Sequence, residues 1–486
     1  MVALSAVVYL VTCWVLRDFV TDDSWISVRY AENLAAGAGP VWNPGGPRVE
    51  GFSNPLLVGL EALAAAAGWD ALAAARTLGV LSGLACLVLV AVGGRAVVGA
   101  RAAAVGGVLT AVSAPFALWA VGGLETTATA AVLTAGVLQV ARPDGGRPVL
   151  AGAVLAVLPW LRPEGLLVVL AVAVAAEAPG LLRRAGRRRA ARRLALVAGL
   201  PVLSQVVLEL VRLGMYGHLL PNSVLYKSGT GETFGVLARF VGHSQLVLVL
   251  AAVGVLLLRR RALVLAVPAL VHVAGSIGTK DSANSWSRFF MPVWPQVALL
   301  AGVAVVGLAA LLAPRVRARL ADRPSGTSLA VTTTLAAVVA GAVSLVLPGA
   351  VPEVASWQER YTGCRVAARE DAARWLVTST PSDTLFAVSD AGYVPARAGG
   401  RPAVDSFMLN DPLIQRTGPL SSSERADIVH ARRPDVLLLA SRDAERFDPV
   451  YPTDRRIGEH PDAAAFTLRH VAGGTDCGYH LMVLAR

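Results

Sequence analysis

Charged residues are scarce in this chain. Lys, Arg, Asp and Glu make up 16% of its 486 residues, whereas hydrophobic residues make up 55% and the mean hydropathy is +0.58. Because soluble domains carry roughly a quarter of charged residues, this balance excludes an ordinary soluble protein. Apolar runs long enough to cross a bilayer recur through residues 1–347, with short polar segments between them. The sequence therefore predicts a polytopic α-helical membrane protein.

Familiar nucleotide and metal motifs are absent from the sequence as well. It contains no G-x-x-x-x-G-K-[ST] phosphate loop, no G-x-G-x-x-G fingerprint, no paired C-x-x-C and no H-E-x-x-H. Nucleotide-dependent chemistry therefore has no support. The sequence identifies no cofactor and leaves a divalent cation open.

The net charge of +11 comes from arginine, since the chain has only two lysines. Its distribution argues against nucleic acid and for membrane topology. The excess lies in five short segments: Arg95 and Arg101, Arg142 and Arg147, the arginines of 183–193, those of 259–261 and those of 315–323. By the positive-inside rule these segments are cytoplasmic.

Alternation from those segments predicts about eleven transmembrane helices in a multi-pass cell-membrane protein. The predicted spans are 1–16, 72–94, 102–121, 125–141, 148–161, 164–181, 194–213, 245–258, 262–278, 289–312 and 328–347. We interpret the first run as an uncleaved span, because no small-residue cleavage site follows it. This topology makes residues 17–71 the first outer loop and places the C-terminal domain outside the cell.

Residues 348–486 differ from the rest, because their apolar runs are short and charges recur every few residues. Helical spacing in 365–379 and 423–430, with strand-like runs in 384–389 and 435–440, predicts a small extracytoplasmic α/β domain. Cys364 and Cys477 lie near its two ends, in a compartment where disulfides persist. They predict either one bridge or two unpaired thiols.

The polar residues that composition does not explain fall on the outer side of the predicted topology. Asp22 and Asp23 follow the first span, where burial and mutual repulsion raise a carboxyl pKa and suit it to general-base catalysis. The alternative is that one of them only caps a helix starting at Ser24. Four cationic or titratable groups are candidates for binding a phosphate, although cations at span ends also reach for headgroups: Arg288, Lys227, Lys280 and His218.

Other outer-loop residues are candidates for binding substrate. Alternatively, the aromatic ones form a belt at the membrane interface and the charged ones pair with each other. They are Arg29, Tyr30, Trp42, Asn43, Glu50, Glu125, Arg162, Glu164, Tyr216, Asn222 and Tyr226.

These outer loops resemble those of the GT-C membrane glycosyltransferases, and most closely the actinobacterial terminal arabinofuranosyltransferases of cell-wall biogenesis. The resemblance rests on the order of six pieces: D-D-S-W-I-S-V-R-Y-A-E-N-L-A-A-G-A-G-P-V-W-N-P at 22–44, V-E-G-F-S-N at 49–54, G-G-L-E-T at 122–126, L-R-P-E-G at 161–165, Y-G-H-L-L-P-N-S-V-L-Y-K at 216–227 and R-F-F-M-P at 288–292. It covers about the first 300 residues. The compact C-terminal domain departs from the cell-wall enzymes, which puts the acceptor in doubt more than the chemistry.

The resemblance implies transfer of a sugar, with arabinofuranose favoured, from a polyprenyl-phosphate donor to a glycan or small-molecule acceptor hydroxyl outside the membrane. Asp22 or Asp23 would be the base. A transporter or flippase of a lipid-linked saccharide is one alternative, although no internal repeat is evident. A non-catalytic glycan-binding membrane protein is another.

Overall fold

The structure, a computed structural model, describes residues 1–227, 233–276, 285–319, 351–474 and 477–486. The side chains of 227, 233, 234, 236 and 312–319 are outside this description. The chain forms two compact units. The first unit comprises Met1–Arg17, Arg76–Leu208 and Gly229–Ala355, and the second comprises Asp18–Ala75, Glu209–Ser228 and Ser356–Arg486.

Helices dominate the first three quarters of the chain. They are Val2–Val15, Asp22–Ala35, Pro55–Ala66, Ala71–Val88, Leu89–Gly93, Arg95–Val98, Ala100–Ala111, Ala114–Val121, Thr126–Val140, Pro148–Leu155, Leu158–Leu161, Gly165–Leu181, Arg184–Gly186, Arg187–Tyr216, Asn222–Lys227, Thr233–Leu258, Arg259–Ala262, Leu263–Ser276, Ser285–Val293 and Trp294–Arg319.

Small residues let the helices of the first unit approach closely. A Cβ at Gly254 would lie 1.9 Å from the carbonyl oxygen of Leu300, and one at Gly302 would lie 2.3 Å from that of Ala102. Helix Trp294–Arg319 therefore packs backbone to backbone against Thr233–Leu258 and Ala100–Ala111. Such contacts are typical of helices that associate in a bilayer.

Among the described residues, four helical stretches are long and apolar enough to cross a membrane: Ala71–Val98, Arg184–Tyr216, Leu237–Ser276 and Ser285–Leu311. The pair Ala100–Ala111 and Ala114–Val121, bent by 60°, makes a fifth if it forms one span. The prediction of eleven is not confirmed. Predicted spans 1–16, 125–141, 148–161 and 164–181 correspond to shorter apolar helices, and 328–347 lies outside the described residues. Predicted span 245–258 and residues 262–276 of the next predicted span fall in one helical stretch, which is interrupted at Arg259 by a φ of 53°.

The second unit contains a five-stranded mixed sheet. Its strands are β1 Phe386–Val388, β2 Ala403–Asp405, β3 Val436–Ser441, β4 Thr467–Ala472 and β5 His480–Ala485, in the order β2-β1-β3-β5-β4. Strand β1 pairs parallel with β2 and β3, whereas β5 pairs antiparallel with β3 and β4. The helices after residue 350 are Val351–Tyr361, Thr362–Val366, Ala367–Ser379, Tyr393–Arg397, Leu413–Thr417, Ser422–Ala431, Pro452–Gly458 and Pro461–Ala465.

Both faces of this sheet are covered. In β3, Leu438 belongs to one apolar cluster and Leu437 to another, as the alternation of side chains along a strand requires. The predicted outer loop contributes to the first cluster through Ile26 and Tyr30 of helix Asp22–Ala35. The second unit therefore joins part of residues 17–71 to the predicted C-terminal domain in one core.

A disulfide joins Cys364 to Cys477, with 5.4 Å between their Cα atoms. It ties the helical segment before Ala367–Ser379 to the chain entering β5. Cys13 and Cys86 are buried free cysteines.

Candidate functional site

The acidic pair Asp22 and Asp23 forms the first turn of helix Asp22–Ala35. Thr21, not either acid, occupies the N-cap position, so the sequence alternative that one of them is the cap is wrong. Negative charge in the first turn still favours the helix, because the turn's unpaired N–H groups carry partial positive charge.

Both carboxylate oxygens of Asp22 are engaged within the second unit. Oδ2 accepts the backbone N–H of Gly392 at 3.0 Å, and Oδ1 accepts that of Tyr393 at 2.9 Å. The guanidinium Nε of Arg369 lies 3.4 Å from Oδ1. A Cβ at Gly392 would lie 1.9 Å from the backbone oxygen of Asp22, so only glycine fits. Asp22 thus joins the start of its helix to the loop after β1.

Arg369 links Asp22 to a second buried acid, Asp390. Its Nε lies 2.8 Å from Oδ2 of Asp390, and that oxygen also accepts a hydrogen bond from the hydroxyl of Tyr479. The other oxygen of Asp390, Oδ1, accepts the hydroxyl of Tyr451 at 3.1 Å. Burial raises the pKa of Asp22 to about 6, against the lowering effect of Arg369. Burial also acts to raise the pKa of Asp390, but Arg369 and Tyr479 outweigh it and hold that pKa below its usual value. The two acids therefore differ in proton affinity.

Tyr226, Phe407 and Tyr451 form a row of aromatic rings. The charge of Asp23 acts on the phenol of Tyr226, whose ring centroid is 5.7 Å from that of Phe407. Phe407 in turn meets Tyr451 edge-on at 5.2 Å, and the guanidinium of Arg425 lies 6.0 Å from the Tyr226 ring centroid. Partly exposed rings beside acids and an arginine suit a sugar, which binds through its apolar face and its hydroxyls.

Several predicted substrate residues are occupied by contacts inside the second unit. Buried Arg29 donates to the carbonyl of Trp42 at 2.6 Å and to Oδ1 of Asn43 at 3.0 Å, and its guanidinium lies 5.1 Å from the Trp42 ring centroid. Tyr30 donates to Oδ1 of Asn410 at 3.1 Å. These contacts favour a structural role for Arg29, Tyr30 and Asn43.

Glu50 and Asn222 are likewise engaged. Glu50 forms a buried ion pair with Arg212, with 3.0 Å between Oε2 and Nε. Asn222 donates to the carbonyls of Leu409 and Asp411 at 3.0 and 2.8 Å. Tyr216 is partly buried against the core cluster of the sheet. The structure therefore attaches the loop around Asn222 to the segment that follows β2.

A buried chain of charges lies in the first unit. Nη1 of Arg162 is 2.8 Å from Oε1 of Glu125, and its Nε is 2.9 Å from Oε1 of Glu164. Nδ1 of His272 is 3.7 Å from the same Glu164 oxygen, while its Nε2 lies 2.7 Å from the carbonyl oxygen of Phe289. Ionisable groups buried among apolar helices are costly and mark functional sites. Glu125 and Arg162 thus pair with each other.

Arg288 follows two residues with strained backbone. Trp286 and Ser287 have φ values of 48° and 59°, which L-residues rarely adopt. Arg288 itself is 4% exposed, and its guanidinium lies 5.4 Å from the Trp119 ring centroid and 5.1 Å from that of Phe289. It also interacts electrostatically with Glu125. The turn thus brings a second arginine to the charged chain of the first unit.

The other predicted phosphate ligands are less defined. His218 is exposed in the loop before Asn222–Lys227. Lys227 ends that helix, but its side chain is outside the description, and Lys280 lies outside the described residues. Their assignment to a donor phosphate stays a prediction.

Sequence reasoning missed Arg369, Arg212 and His272 as site residues. His272 had a usable signal, because it is an ionisable residue inside a predicted apolar span. Arg369 had none, since it lies in a helix with many charged neighbours. Arg212 also had a usable signal, because it lies in predicted span 194–213 and a charge inside a span needs a partner.

Comparison with known proteins supports the fold. A family model described as "Domain of unknown function (DUF8728)" matches residues 355–479. Comparison with curated protein sequences finds no significant match. Among solved structures, ArnT from Cupriavidus metallidurans bound to undecaprenyl phosphate is similar over 99% of this chain and 97% of its own, with a TM-score of 0.62 and 16% identity. The oligosaccharyltransferase AglB from Archaeoglobus fulgidus, in complex with an inhibitory peptide and a dolichol-phosphate, is similar over 89% of this chain and 69% of its own, with a TM-score of 0.55 and 13% identity.

The chain therefore shares the fold of these two proteins. The likeness to ArnT runs through both units and so includes the C-terminal segment.

Proposed function

We propose that this protein is a membrane glycosyltransferase that moves a sugar from a polyprenyl-phosphate donor to an acceptor hydroxyl on the outer face of the cell membrane. The observation that carries the proposal is the near full-length similarity to ArnT, which was solved with undecaprenyl phosphate. AglB, of the same fold, was solved with dolichol-phosphate. Two proteins of this fold thus bind a long-chain lipid phosphate, which is the leaving group that the proposal requires.

The reaction needs a base, and we assign this role to Asp23. Both oxygens of Asp22 accept backbone N–H groups and one faces Arg369, so Asp22 is better suited to holding the helix start in place. Asp23 removes the proton of the acceptor hydroxyl while that oxygen bonds to the anomeric carbon. The bond from this carbon to the phosphate oxygen breaks as positive charge develops on the sugar ring, as in glycoside hydrolysis.

The leaving phosphate needs positive charge rather than a proton. Arg288 is our first candidate, because its strained turn and the rings of Trp119 and Phe289 fix its position, and an arginine can contact two phosphate oxygens at once. Lys227, Lys280 and His218 are further candidates. Glu125, Arg162 and Glu164 then order the residues around Arg288 rather than react.

Tyr226 is our candidate for stacking against a sugar ring, with Phe407 beside it and Tyr451 on Phe407. We favour arabinofuranose as the sugar, because the outer-loop motifs most closely resemble the terminal arabinofuranosyltransferases. We propose a glycan or a small-molecule alcohol as the acceptor.

The test uses the purified chain in nanodiscs with a panel of polyprenyl-phosphate sugars and short glycan acceptors, and measures release of polyprenyl phosphate. We expect turnover with the arabinofuranose donor, lost in Asp23→Asn with donor binding retained. Glu32→Ala, on the exposed side of the same helix, is the matched control. No turnover with any donor, together with substrate-dependent flux in sealed vesicles, would establish the transporter instead. Glycan binding without turnover or flux would establish the non-catalytic reading.

A further inference from the structure

Two histidines of the second unit, His430 and His460, stack on each other beside a carboxylate. Their ring centroids are 4.2 Å apart and their planes differ by 11°. One nitrogen of each ring and one carboxylate oxygen of Asp462 all lie within 4.8 Å of one another. His430 comes from helix Ser422–Ala431, whereas His460 and Asp462 begin the helix Pro461–Ala465. The cluster is separate from the acids and arginines assigned to sugar transfer.

The buried histidine has a ring nitrogen without a hydrogen-bond partner among the residues that the structure describes. His430 is 3% exposed, and its Nε2 lies 2.9 Å from the carbonyl oxygen of Ile457. Because a carbonyl can only accept, Nε2 carries the proton and Nδ1 carries a lone pair. Within the described part of the chain, Nδ1 of His430 has no hydrogen-bond partner. A buried acceptor left unpaired costs about 1–3 kcal/mol, so this nitrogen is suited to a ligand.

The second histidine is oriented in the same way. Nδ1 of His460 accepts the backbone N–H of Asp462 at 3.2 Å, so its proton also belongs on Nε2. That Nε2 faces a carboxylate oxygen of Asp427 at 3.5 Å. Metal-bound histidines typically donate their other N–H to a carbonyl or a carboxylate, and these two histidines have one of each. Both therefore offer Nδ1, and Oδ2 of Asp462 lies 3.8 Å from Nδ1 of His460.

We propose that His430, His460 and Asp462 bind one divalent transition-metal ion, with Zn²⁺ as the best match to two imidazoles and one carboxylate. Nδ1 of each histidine and one Asp462 oxygen are the ligands, and water completes a tetrahedral site. Atoms about 2.1 Å from one ion lie at most about 4.2 Å apart, so the three ligands close inward slightly on binding. Asp462 has a side chain 67% exposed and can make that movement.

The site has a structural consequence. The ion would tie the end of helix Ser422–Ala431 to the turn at Pro461, two segments of one face of the sheet. It would also replace the hydrogen bond between Nδ1 of His460 and the N–H of Asp462, which is a modest loss.

The experiment uses the full chain in detergent, without a histidine tag and stripped with EDTA, titrated with Zn²⁺ by calorimetry and checked by metal analysis after dialysis. We expect one equivalent at micromolar affinity or better, lost in His460→Asn, which keeps an N-cap side chain for Pro461–Ala465. Asp462→Asn and Asp427→Asn should each weaken binding at least about tenfold. Visible absorption bands of bound Co²⁺ should disappear in the same variants.

His470→Gln is the matched control, because this histidine of the same unit pairs with Asp371 at 2.9 Å and lies outside the cluster. It should bind Zn²⁺ as the natural chain does. No uptake by the natural chain, or equal uptake by His460→Asn, would overturn the proposal. The melting temperature of each variant without metal shows whether a lost site reflects unfolding.

Discussion

Asp22 and Asp23 are neighbours in one helical turn, yet we expect their replacement to have different effects. Replacing Asp22 should lower the stability of the fold, and replacing Asp23 should abolish turnover. Asp22→Ala removes the acceptor of two backbone N–H groups and one ionic partner of Arg369. Breaking a buried ion pair costs about 3–5 kcal/mol when the remaining charge has no other partner. Arg369 keeps Asp390 at 2.8 Å, so we expect the low end, about 3 kcal/mol.

That free energy converts into a measurable shift. In a unit of about 200 residues, 1 kcal/mol corresponds to about 2–4 °C, so Asp22→Ala should lower the melting temperature by about 6–12 °C. Asp23→Asn, which keeps the shape of the side chain, should abolish turnover and lower the melting temperature less than Asp22→Ala does. Glu32→Ala, which removes a half-exposed pair with Arg397, should lower stability by less than about 1 kcal/mol and leave turnover intact.

The assay is thermal unfolding in detergent followed by intrinsic fluorescence, with release of polyprenyl phosphate measured on the same preparations. Equal melting temperatures for Asp22→Ala and the natural chain would refute the structural role of Asp22. If Asp22→Asn loses turnover at an unchanged melting temperature while Asp23→Asn stays active, the base is Asp22.

The structure supports four further predictions. The disulfide closes a loop with a sequence separation of 113, so replacing both Cys364 and Cys477 with Ser should cost about 5 kcal/mol in the chain-entropy model, measured as a fall in melting temperature. Gly392→Ala should destabilise the second unit by about 1–3 kcal/mol, because its Cβ would overlap the backbone of Asp22, and an unchanged melting temperature would contradict that contact. His272→Ala should raise the donor KM more than it lowers kcat, because the carbonyl of Phe289 beside Arg288 loses its donor, whereas His272→Gln should restore part of the effect. Burial raises the pKa of Asp454 to about 7 and that of Asp405 to about 6, so the folded chain holds these protons more tightly than the unfolded chain. Their stabilising effect is complete below about pH 4 and is lost as the pH rises to about 7, so the melting temperature should fall over that range, with a shallower slope in Asp454→Asn.

The helices and the main strands were predictable because hydrophobic spacing dictates them. The pattern in 435–440 predicted β3, and the helical spacing in 423–430 predicted Ser422–Ala431. The hairpin of β4 and β5 was not predicted. Three of the six β4 residues, Thr467, Arg469 and His470, are polar and exposed or half-buried, and they interrupt the hydrophobic ones, so the strand lacks an apolar run. The strand is stabilised by its hydrogen bonds to β5, which the local sequence does not reveal.

The predicted count of eleven spans is not confirmed, for a different reason. An apolar run of about 15 residues, such as Thr126–Val140, is shorter than a bilayer requires, and hydropathy cannot tell a short buried helix from a crossing one. Three arginines lie at the break at Arg259 between two predicted spans. Their charge predicts the side of the membrane on which this segment lies, but not the conformation of its backbone.

Site residues could be selected from the sequence, but their roles could not. An ionisable residue in an apolar chain must be paired or solvated, and this rule picked out Asp22, Glu125, Arg162 and Arg288. It does not identify a partner that lies far along the chain, as Arg369 does from Asp22. The partner decides the role. The carboxylate of Asp22, which accepts two backbone N–H groups, holds two segments of the fold together, and for that reason we propose Asp23 as the base.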